Sequence, residues 1–158
     1  MSARLLVATL SAESQAAVAE AERAGDYQSE AFLKAYNGEF MSRYVSRTLD
    51  FSDPAVAESM AAAMNFEIYG LMWGTSDLAA NGTLKDFDRT AELKSLTMPV
   101  LFQAGELDET RAETAREHAA LVPNAEVAII PASGHLTMID NPDAANRAIR
   151  EFLARVEA

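Results

Sequence analysis

The sequence predicts a mixed α/β fold in two parts, a helical segment over residues 1–88 and a β-α-β-α segment over residues 89–158. Three observations predict it. Up to about Asp88, apolar and aromatic residues recur three and four apart, the period of a helix face. Beyond it, two short apolar runs, Val100–Ala104 and Val127–Ile130, alternate with capped helical stretches. Each run stops at a residue that breaks regular structure, Gly105 and Pro131.

The elements follow in order. A first helix runs from Ser11 to Ala24, with Ser11 as N-cap, Glu13 in the first turn and Gly25 as the stop. A second covers Glu30 to Arg47. Its aromatic residues Phe32, Tyr36, Phe40 and Tyr44 share one face, and Asn37-Gly38 interrupts it. Asp53-Pro54, an N-cap followed by Pro at the first helical position, opens a third. A short helix at Phe66–Met72 leads into turns over Trp73–Asp88. In the second part, Val100–Ala104 and Val127–Ile130 read as buried parallel strands. Thr110-x-x-Glu113 between them reads as a capping box for a helix reaching about Leu121. Asn141-Pro142 opens the last helix, with Ala145, Ile149, Phe152, Leu153 and Val156 as its apolar stripe.

Composition narrows the functional classes. Thirteen Lys and Arg against 24 Asp and Glu give the 158 residues a net charge of −11. That argues against binding nucleic acid or anionic membrane through a basic surface. Cysteine is absent, which removes disulfides, thiolate metal sites and Cys nucleophiles. At 49% apolar residues the chain can bury a core. Leu5-Leu6-Val7-Ala8 is too short for a signal core, and no stretch approaches the roughly 18–20 apolar residues of a membrane span. A cytoplasmic protein is the expectation. No His, Asp and Glu group has metal-ligand spacing and the seven Gly form no phosphate loop, so no metal or other cofactor is expected.

Two parallel strands do not make a stable sheet. Their outer edges expose unpaired backbone and apolar faces. The chain is therefore expected to be incomplete alone, and to form a homodimer or pair with a separate half.

Ligands of open parallel sheets gather outside the carboxyl ends of the strands. The loops there are Gly105-Glu106-Leu107-Asp108-Glu109 and Ala132-Ser133-Gly134-His135. Adjacent strands bring Asp108 and His135 side by side. A carboxylate beside an imidazole is the orienting half of a nucleophilic triad, because it fixes the tautomer and stabilises the imidazolium. His118, in mid-helix, is a surface or packing residue.

With these loops in view, the last 70 or so residues resemble the end of an α/β-hydrolase, whose acid follows one late strand and whose His follows the last. The stretch from Tyr69 to Asp88, through Trp73-Gly74, Asp77, Gly82-Thr83 and Lys85-Asp86-Phe87-Asp88, resembles the cap-to-core junction of the proline iminopeptidase family and its amino-acid amidase relatives. The helices before it look like that family's cap. The resemblance implies Asp108 as triad acid and His135 as general base. It also implies Asp77 and Glu109 as carboxylates that bind the free α-amino group of a small molecule or peptide N-terminus. For Glu109 the alternative is a charge at a helix start; for Asp77, a turn former. Trp73 either lines the pocket or packs in the junction.

The family carries its nucleophile in a Gly-x-Ser-x-Gly elbow, and these 158 residues contain none. Ser133, on the His loop itself, cannot reproduce an elbow. Three readings follow: part of a two-part serine hydrolase, inactive alone; a self-associating remnant without catalysis; or a binder of small amines or amino acids.

Overall fold

The computed structural model describes residues 2–157, which divide into two compact units. The first runs through Arg43 and resumes at Leu49–Phe87; the second joins Tyr44–Thr48 to the chain from Asp88 onward. The short segment at 44–48 is what a single boundary near residue 88 did not anticipate.

The first unit opens with helix α1 (Ser2–Leu6) and a 3-10 turn at Val7–Thr9. Helix α2 (Ala12–Ala24) starts where Ser11 accepts the Ser14 N–H and ends at Gly25, whose φ of 68° is the left-handed conformation of a C-cap. Helix α3 (Glu30–Ala35) is shorter than its aromatic pattern predicts. At Tyr36 it gives way to a π-helix over Tyr36–Val45. Asn37-Gly38, both poor helix formers, sit at that change, and the Ser42 hydroxyl donates to the Asn37 carbonyl across the wider turn. Phe32, Tyr36 and Phe40 still stack, at 5.5 and 5.8 Å between ring centroids. Phe32 and Phe40 are buried with Val18 and Ala21. Tyr44 belongs to the second unit.

Helices α4 (Pro54–Ala63) and α5 (Phe66–Met72) have Asp53 and Asn65 as N-caps. The stretch after them is not turns alone. β1 (Gly74–Ser76) and β2 (Ala79–Ala80) form a small antiparallel ladder, with Asp77 and Leu78 at its turn.

The second unit is built on parallel strands β3 (Val100–Gly105) and β4 (Ala125–Ile130), in register from Val100 opposite Ala125 to Gly105 opposite Ile130. Helix α6 (Ala112–Ala119) connects them. Short α7 (Thr137–Asp140) and long α8 (Pro142–Val156), capped by Asn141, complete the β-α-β-α order. Ile130, Ala144 and Ala145 form the core, with Ala128 and Ala148 against it.

Two sequence expectations need correction here. The capping box does not form: the Thr110 hydroxyl and N–H both go to Asp108, at 2.8 Å each, and α6 starts at Ala112 without a side-chain cap. Asp108 takes the Thr110 N–H that the box would give to Glu113, and Arg111 stands at the N-cap instead. The strands are also less buried than their composition suggests. Only Ala104, Gly105 and Ile130, at their carboxyl ends, are buried; Leu101, Phe102 and Ile129 are half-buried and Val127 is exposed. On α8, Ala145 is buried, while Ile149, Leu153 and Val156 remain 41–45% exposed. Each strand has one neighbour, so one edge and much of each face lack cover.

Candidate active site

The second unit brings Asp108 and His135 together. Gly105 ends β3 and the chain turns so that Asp108 folds back, its Oδ2 accepting the Gly105 N–H at 3.0 Å. The loop after β4 comes alongside, with the Glu106 N–H donating to the Ile130 carbonyl and the Leu107 N–H to that of Ser133. The approach is close. A Cβ on Gly105 would lie 2.1 Å from the Gly134 carbonyl oxygen, and one on Gly134 would lie 2.8 Å from that of Tyr44. Ala132, at φ 54°, makes the sharp turn into the His loop, and the Glu106 carboxylate accepts its N–H at 3.0 Å.

His135 Nδ1 lies 3.0 Å from Asp108 Oδ1. The acid is buried, its side chain 3% exposed, whereas the imidazole is 45% exposed. Burial pushes the Asp108 carboxyl up, but hydrogen bonds from His135, Thr110 and Gly105 outweigh it and hold the group below the usual carboxylate range. Asp108 is thus ionised at neutral pH and can only accept. Nδ1 of the neutral imidazole must then carry the proton, which leaves the basic lone pair on Nε2.

Three groups that the sequence pattern did not single out tie the loops of this pair to segment 44–48. The Tyr44 carbonyl accepts both the His135 N–H at 2.9 Å and the Glu109 N–H at 3.2 Å, and the Val45 carbonyl accepts the Leu136 N–H at 2.8 Å. Asp140 binds the Gly134 N–H at 2.8 Å and the Ser46 hydroxyl at 2.6 Å. Burial pushes Asp140 up as well, and the Ser46, Gly134, Arg47 and Thr48 hydrogen bonds again bring it below its ordinary value. Nothing in the local sequence signals these ties, because segment 44–48 lies about 90 residues before the loop it braces.

The acid sensitivity of this unit follows. Asp108 and Asp140 both have folded values below the ordinary Asp pKa of about 3.9. Their stabilisation is complete above the unfolded value and is lost as pH falls through the folded ones. The denaturant midpoint of the second unit is expected to hold from pH 7 to about 5 and to fall below about pH 4. Asp108→Asn flattens that fall. A midpoint constant down to pH 3 would contradict this.

Trp73 and Asp77 belong to the first unit. Asp77 sits at the β1–β2 turn, and its two carboxylate oxygens accept the phenol hydroxyls of Tyr36 and Tyr69, one each. The Trp73 ring is half-buried and its buried Nε1 has no hydrogen-bond partner among the described residues. Glu109 is half-buried beside the acid in the second unit. His118 packs near Phe102, at 6.3 Å between rings. Among the described residues no group of His, Asp and Glu could hold a metal ion, and no helix is long and apolar enough to cross a membrane.

No protein-family model matches the chain. Individual relatives do. It is 30% identical to the proline iminopeptidase of Heyndrickxia coagulans over 139 residues, covering 88% of this chain and 48% of the relative. The proline iminopeptidase of Levilactobacillus brevis is 30% identical over 149 residues, covering 94% and 49%. Among solved structures, the proline iminopeptidase of Mycobacterium smegmatis superposes with a TM-score of 0.79 at 31% identity, over 98% of this chain and 51% of that one. VinJ superposes with a TM-score of 0.85 at 22% identity, a likeness of fold alone, covering 98% and 52%. The chain spans about half the length of each of these relatives. With its acid and histidine loops at the carboxyl ends of adjacent parallel strands, the chain fits the C-terminal part of an α/β-hydrolase, cap plus acid–histidine end, and resembles the proline iminopeptidases.

Proposed function

We propose that this chain is the acid–base part of a serine hydrolase that releases an N-terminal residue or hydrolyses an amino-acid amide. The observation that carries the reading is the Asp108–His135 pair: a buried, ionised acid 3.0 Å from the Nδ1 of an exposed imidazole. In this reading His135 Nε2 takes the proton of an attacking hydroxyl and returns it to the leaving amine. Asp108 keeps the tautomer and stabilises the imidazolium between those steps. The likeness to the proline iminopeptidases assigns Glu109 in the second unit and Asp77 in the first to binding of the substrate's α-ammonium, and Trp73 in the first to substrate contact. The two phenols on Asp77 support this role, because they fix both of its oxygens.

The nucleophile comes from outside these 158 residues, since the sequence has no Gly-x-Ser-x-Gly elbow. Without it the chain has no turnover of its own. The half-covered strands and the exposed stripe of α8 support association with a hydrolase half that carries the elbow or, failing that, with a second copy of this chain. The test is to mix the chain with an N-terminal hydrolase half and follow cleavage of an amino-acid anilide, with sedimentation reporting assembly. Joint sedimentation with new turnover is the expected result. A monomer that neither associates nor gains activity on mixing would overturn the reading.

A further inference from the structure

Asp140 takes no part in the chemistry proposed above, yet its carboxylate joins two segments that are far apart in sequence. From segment 44–48 it accepts the Ser46 hydroxyl at 2.6 Å, the Arg47 N–H at 2.9 Å to each oxygen, and the Thr48 N–H and hydroxyl at 3.2 and 2.9 Å. From the His loop it accepts the Gly134 N–H at 2.8 Å. Gly134 immediately precedes His135 in the chain. The same two segments meet again at the backbone, where Tyr44 and Val45 carbonyls accept the His135 and Leu136 N–H groups. The loop in between enters through the left-handed Ala132, a conformation that the surroundings must hold for a residue with a Cβ.

We propose that Asp140 is a positioning residue: it locks the Gly134 peptide to segment 44–48 and so aims the His135 ring at Asp108. Only an acceptor-only group serves, because N–H and O–H donors from both segments converge on both oxygens. An amide there would turn an NH₂ toward at least one of those donors. Ser46, 0% exposed, shares the task, since its hydroxyl is a fully buried donor to that carboxylate. The proposal rests on the reading of Asp108 and His135 as an acid–base pair, but it can be tested without turnover.

The measurement is the tautomer of His135 by ¹⁵N NMR of the full chain, at a pH where both histidines are neutral. There are two histidines, and His118 on α6 serves as the internal reference. In the parent chain His135 is the Nδ1–H form. In Asp140→Asn the Nδ1–H to Nε2–H ratio is expected to fall about tenfold, the loss of one charge-assisted hydrogen bond, with His118 unchanged. A folded Asp140→Asn chain with an unaltered His135 ratio would overturn the proposal. If Asp140→Asn does not fold, the Ser46→Ala, Thr48→Val double variant decides. It keeps the carboxylate but loosens its hold, so a fall in the ratio supports the proposal and an unchanged ratio refutes it. Asp108→Asn separates the two levels. If it leaves the tautomer as in the parent, the pair itself is misread; if it changes the tautomer and Asp140→Asn does not, only the positioning role fails.

Discussion

Gly105→Ala is expected to unfold the second unit or to destabilise it by about 3–5 kcal/mol, at the upper end of what a single methyl can do. The cause is space. The added Cβ would stand 2.1 Å from the Gly134 carbonyl oxygen and 2.5 Å from that of Ser133, both backbone atoms of the loop that carries His135. No side chain can swing away to make room, so one loop must move off the other. The Glu106 and Leu107 N–H bonds to Ile130 and Ser133 would then lengthen together with the Asp108–His135 contact. The same chemical change at Gly70, inside α5 with nothing within 4 Å, is expected to be neutral or to stabilise by up to about 1 kcal/mol. Chemical denaturation of the two variants beside the parent checks the contrast. Equal midpoints for both would mean that the loops are not packed as described.

In a complex with a half that carries the nucleophile, His135→Ala and Asp108→Asn are each expected to lower kcat on the order of 10⁴-fold, with KM nearly unchanged. His135→Ala removes the group that moves the proton. Asp108→Asn keeps the shape but offers an amide that can donate, so the imidazole loses the carboxylate that holds the proton on Nδ1. The two losses are not additive, because the residues act as one unit. Asp77→Asn is the contrasting case. Loss of that charge is expected to raise KM for a substrate with a free α-amino group while a blocked substrate is unaffected. Steady-state kinetics on the mixed enzyme reads all three. A kcat for His135→Ala within tenfold of the parent would remove the pair from the mechanism.

How much of this was legible in the sequence differs between strands and site supports. The β-α-β-α order was legible because Val100–Ala104 and Val127–Ile130 are apolar runs bounded by Gly and Pro, and adjacent parallel strands bring their following loops together. That argument led to Asp108 and His135. Helix starts that depend on one residue, Ser11, Asp53 and Asn141, were legible too. Competition between acceptors was not: Thr110-x-x-Glu113 reads as a capping box, but the Asp108 carboxylate takes the Thr110 N–H and the helix starts one residue later, after Arg111. The π-helix was hidden in the same way, since Asn37-Gly38 marks a weak point without saying how the chain relieves it. The depth of strand burial was overestimated, because an apolar run states what a strand would bury if neighbours were present. Asp140 and the Tyr44 carbonyl were beyond reach. Their role exists only where residues some 90 apart meet, and one of the two groups is a backbone atom with no sequence signature.

In the function proposed for this chain, Asp108 and His135 supply the acid and base of a hydrolase and another chain supplies the nucleophile. Turnover of an amino-acid anilide by the purified chain alone, followed to high enzyme concentration beside the His135→Ala variant, tests it most directly. No difference between the two and no cleavage above the buffer rate is the expected result, with cleavage arising only after addition of a half bearing the serine elbow. Cleavage by the pure chain that disappears in His135→Ala would contradict it and show that a nucleophile lies within these residues, with Ser133→Ala the variant to make next.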